Sequence, residues 1–89
     1  MMATEYQRVR DLCAALGDGW TVQPIDYELC PHFDFGDGFH VDVSGASSAC
    51  EDVSVFLLNR DGELVFFSVC PRVDVVTYAD AMHEAAVTK

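Results

Sequence analysis

Between two apolar runs, Asp52 to Leu58 and Glu63 to Cys70, the chain reads Asn59-Arg60-Asp61-Gly62. A polar tetrad with glycine available for positive φ, flanked by β-branched and aromatic residues, is the sequence form of a tight β-hairpin. Both sides of its strands are apolar. Val53, Val55 and Leu57 alternate with Phe56 and Leu58, and Val65, Phe67 and Val69 alternate with Leu64 and Phe66. That pattern predicts a central strand pair, or one covered on both faces.

Upstream, the apolar period is two. Trp20 and Val22 share a face, and after a slip at Pro24 so do Ile25, Tyr27 and Leu29. A proline cannot donate to a ladder, so this segment reads as an edge strand or a bulged one, with Asp26 and Glu28 facing water. The alternation resumes with Phe33, Phe35, Phe39, Val41 and Val43 at odd positions against Asp34, His40, Asp42 and Ser44 at even ones. Gly36-Asp37-Gly38 interrupts it as a turn or bulge.

At the ends the period is helical. Thr4 and Gln7 have the form of a capping box ahead of Tyr6, Val9, Leu12, Cys13 and Leu16, with Gly17 and Gly19 closing the helix. Pro71 ends the last strand. A second helix begins near Asp74 or Thr77, with Val75, Tyr78, Ala79, Met82, Ala85 and Ala86 on one side and Asp80 and Glu84 on the other. The expected fold is α+β: a four-stranded, mainly antiparallel sheet with an N-terminal and a C-terminal helix, in the order α-β-β-β-β-α.

Eighty-nine residues, 51% of them hydrophobic, form a single compact domain spanning 1–89. The N-terminus has no basic start or apolar run, and no stretch approaches the ~20 apolar residues of a membrane span, so a cytoplasmic protein is expected. Cys13, Cys30, Cys50 and Cys70 are widely spread, and the apolar content supports a core without cross-links, so free thiols are expected.

Several activities lack the residues they need. His32, Asp34, Asp37, His40 and Asp42 are potential metal ligands, and Cys30-Pro31-His32 places a thiol near an imidazole. No C-x-x-C pair exists, however, and the aspartate spacing does not match a calcium loop, so neither a metal nor another cofactor is expected. Cys30 with His32 has no orienting third residue or oxyanion turn for nucleophilic catalysis. Asp34-Phe35-Gly36 matches a kinase tripeptide, but the chain has no phosphate loop and is far too short for that fold. A domain this small also offers little depth for a pocket that would tune a carboxylate pair. No enzymatic activity is expected.

Charge remains. Fifteen Asp and Glu against five Lys and Arg give a net charge of -10. That surplus opposes direct contact with nucleic-acid phosphates or an anionic membrane and favours a basic partner. Alternate residues on a strand lie ~6.6 to 6.8 Å apart on one face, so Asp26 with Glu28, and Asp34 across to Asp42, are candidates for carboxylate rows that imitate a nucleic-acid backbone. Asp37 joins that group, and Glu51, Asp52, Asp61 and Glu63 form a second one at the other hairpin. In size, acidity and compact α+β make-up the chain resembles small phage-encoded inhibitors of bacterial defence, including anti-CRISPR proteins that imitate DNA. The resemblance covers the whole chain as a type and rests on no shared motif. It implies an inhibitor that occupies the basic surface of a nucleic-acid-binding protein such as a CRISPR effector subunit. The alternatives are a small homo-oligomeric or complex-subunit interaction domain, motivated by Val41, Val43, Phe56 and Phe66, and a Cys/His metal-binding protein.

Overall fold

The computed structural model describes residues 3–88. Helix α1 (Ala3–Leu16) leads into strands β1 (Trp20–Ile25), β2 (Glu28–Asp34), β3 (His40–Ser44), β4 (Asp52–Leu58) and β5 (Leu64–Pro71). A 3-10 turn, Arg72–Asp74, then opens helix α2 (Val75–Val87). The strands form one antiparallel sheet in the order β1-β2-β3-β4-β5, so each pairs only with its neighbours in sequence. The α+β class is as expected, but there are five strands rather than four.

The extra strand arises at Asp26 and Tyr27. Their φ values of 48° and 70° make a two-residue turn of the type I′ form, so the segment expected as one strand from Trp20 to Leu29 is a hairpin. Neither residue is glycine, which is why the turn is silent in the sequence. In a two-residue hairpin Ile25 and Glu28 exchange hydrogen bonds, and pairs alternate from there. Pro24 and Pro31 both fall at non-bonded positions. Pro24 lies on an edge strand, and Pro31 sits just before β2 begins to pair with β3 at His32.

Register divides the sheet cleanly. Phe33, Val41 and Leu57 lie in one row, as do Val43 and Val55, and Val41, Val43, Val55 and Leu57 form one core with Val9 and Leu12 of α1 and Val75 and Ala79 of α2. Val9, Val41, Val43, Val55, Leu57 and Val75 are wholly buried. α1 packs on β1 and β2, and α2 on β4 and β5. Each wholly buried Val or Leu contributes about 1.5–3 kcal/mol over its exposed state.

Three expectations need correction. α1 already includes Ala3 and Thr4, so Thr4 does not cap it, and Gln7 instead donates from Nε2 to Asp11 Oδ1 at 2.7 Å. Tyr6, Tyr78 and Ala85 are exposed rather than facing the core; Tyr6 carries the Arg10 guanidinium on its ring. The β4-β5 pair is neither central nor covered twice, because β5 is an edge and Leu64, Phe67 and Val69 are exposed on the helix-free face. Of the two forms expected at Gly36–Gly38, the structure has the turn, between two strands: Asp34 Oδ1 accepts from Gly36 N–H at 2.8 Å and Asp37 Oδ1 from Phe39 N–H at 3.1 Å.

Candidate functional site

The face without helices is formed by the other set of alternate residues. On β1 to β3 it is polar, carrying Thr21, Gln23, Glu28, His32, Asp34, His40 and Asp42. On β4 and β5 it turns apolar, with Phe56, Leu58, Leu64, Phe67 and Val69; the Phe56 and Phe67 rings lie 5.0 Å apart. The register places the β1-β2 tip and the β4-β5 tip at opposite ends of the strands, yet both line one cavity of about 300 Å³. The sheet therefore coils across that diagonal, as twisted sheets do, and the helix-free face becomes a trough.

Along the trough lie Ile25, Phe56, Leu58 and Leu64 as apolar surface, with Asp26, Glu28 and Asp42 as carboxylates. Cys30 is buried beneath them, and its thiol is pushed up to about 12, by burial first and then by Glu28, Asp42 and Asp26. A thiol held so firmly protonated is no nucleophile at neutral pH. Burial also raises Cys13 and Cys70, whereas Cys50 is exposed.

The nine acidic positions expected to meet a partner, Asp26, Glu28, Asp34, Asp37, Asp42, Glu51, Asp52, Asp61 and Glu63, are distributed differently from the sequence grouping. Strand ends sort them. Asp34, Asp37, Asp61 and Glu63 lie at the end that carries the β2-β3 and β4-β5 turns. Asp26, Glu28, Glu51 and Asp52 lie at the opposite end. Asp34 and Asp42 do share a face, but Asp42 is buried and meets His32 Nδ1 at 2.7 Å, so no exposed carboxylate row joins them. A buried carboxylate needs such a partner, and the directly opposed His32 supplies it. Glu28 is also engaged, accepting from Ser44 Oγ at 2.8 Å and Gly45 N–H at 2.7 Å. Asp26, Asp34, Glu51, Asp52, Asp61 and Glu63 are exposed.

Asp37 faces α2. His83 Nε2 lies 2.6 Å from its Oδ2, and that hydrogen bond, aided by Phe39 N–H, holds the carboxyl below its usual range. The His83 ring stacks on Phe35 at 3.8 Å and 5°, which ties the β2-β3 turn to the helix.

Among the described residues, the only ion pairs are those two histidine contacts. Three of the four arginines are occupied elsewhere. Arg72 donates to the carbonyls of Gly45, Ala46, Ser48 and Cys50, and Arg8 to that of Ser47. Arg10 lies over Tyr6, and a Cβ on Gly38 would come within 3.2 Å of the Arg60 guanidinium. No three His, Cys, Asp or Glu side chains converge as metal ligands among the described residues, and no helix there is long and apolar enough to cross a membrane.

Comparison of the chain with protein-family models, with curated proteins and with solved structures returned no match. The sequence located the acidic residues, but not the trough between them, because the turn at Asp26-Tyr27 that closes one end carries no glycine signal.

Proposed function

We propose that this protein is a non-enzymatic acidic binding protein that inhibits a nucleic-acid-binding partner by occupying its basic surface, in the manner of DNA-mimic, anti-CRISPR-like inhibitors. One observation carries the reading: the surplus carboxylates are not neutralised at home. Among the described residues no arginine pairs with a carboxylate: Arg8 and Arg72 donate to backbone carbonyls and Arg10 lies over a tyrosine ring, so the negative field is left for an external partner. Carboxylates at both ends of the strands suit an extended basic groove better than a single point contact.

Capture from a bacterial lysate on the immobilised protein, with mass identification, tests this. Retained proteins are expected to be DNA-binding, to be displaced by duplex DNA and to elute between about 0.1 and 0.5 M salt, where screening becomes strong. A variant with Asp26, Asp34, Asp52 and Asp61 all changed to Asn is expected to lose them. Retention indifferent to salt, DNA and these substitutions refutes the proposal.

A second reading has its own observation. The free edge of β5 and the exposed Leu64, Phe67 and Val69 suit a homo-oligomer or a subunit of a larger complex. A concentration-independent monomer by light scattering refutes the homo-oligomer.

A further inference from the structure

The trough asks for more than charge. Leu64 is 57% exposed on its wall, and Phe56, Leu58 and Ile25 share the cavity, an apolar surface that opposite charge alone leaves wet. The carboxylates of Asp26, Glu28 and Asp42 line the same space, with Asp61 and Glu63 beside Gly62 at its far end. The raised Cys30 thiol reports the electrostatics of the floor, which is both desolvated and negative.

Volume and charge narrow the occupant. About 300 Å³ is at the bottom of the range for small-molecule sites and accommodates one large side chain. A second copy of this chain would bring its own surplus of carboxylates against these, and a neutral apolar ligand would leave the exposed Asp26, Asp61 and Glu63 at the trough's two ends without a cation. A cationic segment with one apolar anchor satisfies both surfaces.

We infer that the trough receives a single large apolar side chain from a basic segment of the partner, whose flanking Lys or Arg residues meet Asp26, Glu28 and the Asp61–Glu63 turn. This rests on the acidic-binding reading above and adds a specificity to it. Buried aromatic or aliphatic anchors surrounded by a charged rim concentrate binding energy in this way.

Two labelled peptides test it: a Lys/Arg-rich peptide with one central Trp, and its twin with Ala in that position, titrated by fluorescence anisotropy. The Trp peptide is expected to bind about tenfold more tightly, the gain typical of a seated anchor. Leu64→Asp, on the exposed face of an edge strand, is expected to abolish that preference while leaving the Ala twin bound as well or better, since it adds negative charge. Leu64→Ser, which adds no charge, is expected to weaken the Trp peptide alone and serves if the aspartate variant melts early. Equal, salt-sensitive binding of both peptides to the unaltered protein overturns the anchor and leaves the acidic reading standing. Failure of both peptides to bind overturns both readings. A preference retained in both Leu64 variants places the Trp elsewhere, and a dimer that Leu64→Asp dissolves assigns the trough to a second copy; either result overturns the inference.

Discussion

Arg72 shows how far one side chain organises this small domain. Its guanidinium collects the carbonyls of Gly45, Ala46, Ser48 and Cys50, fixing the loop between β3 and β4 against the start of the 3-10 turn, while its backbone N–H donates to Glu51 O at 3.0 Å. A planar fork is needed to reach several acceptors at once. Arg72→Ala is therefore expected to cost about 2–3 kcal/mol, lowering Tm by roughly 10–20 °C, and Arg72→Lys is expected to recover less than half of that. Thermal melts check both, and full recovery by lysine would show that one contact suffices. This role was invisible in the sequence. Arg72 follows Pro71 with no local partner, and its acceptors lie 22 to 27 residues upstream. The thiols were more legible: Cys13 on the apolar helix face is buried as its spacing required.

The strands show a sharper division between what periodicity reveals and what it hides. The Asn59–Gly62 hairpin formed where glycine and asparagine called for it: Gly62 takes φ 80° and Asn59 Oδ1 accepts from the N–H groups of Asp61 and Glu63. The Asp26-Tyr27 hairpin turns in two residues without the residues that advertise such a turn. A two-residue turn shifts the alternation by one, so Ile25 shares a face with Glu28 and not with Leu29, although Ile25, Tyr27 and Leu29 read in sequence as one face. A tyrosine at φ 70°, wholly exposed beside the trough, is held there against its own preference. Replacing Asp26-Tyr27 with Asn-Gly is expected to stabilise the protein by about 0.5–1 kcal/mol, read as a rise in the urea midpoint at unchanged slope. If the trough is a binding site, the same change is expected to weaken the Trp peptide by removing the Asp26 carboxylate and the neighbouring ring. No gain in stability would mean that the turn has repacked.

At the scale of the whole molecule, composition was the most informative part of the sequence and topology the least. Net charge followed directly from counting, but where it is left uncompensated depended on the arginines being drawn to carbonyls, a matter of distant partners. The cost of that surplus is measurable in the free protein. Raising sodium chloride from about 0.01 to about 0.5 M is expected to raise Tm by several degrees, because screening relieves mutual repulsion among exposed carboxylates. A flat or falling Tm would indicate that they lie too far apart to repel one another, and would weaken the case for a basic partner with it.

The simple ladder order, β1 through β5 without a crossover, has a consequence for how the chain comes into being. Every strand meets a neighbour it has just left, and each helix settles on the two strands closest to it along the backbone. Such a chain searches little conformational space between contacts and closes only short loops, the regime in which small domains reach their native state within milliseconds.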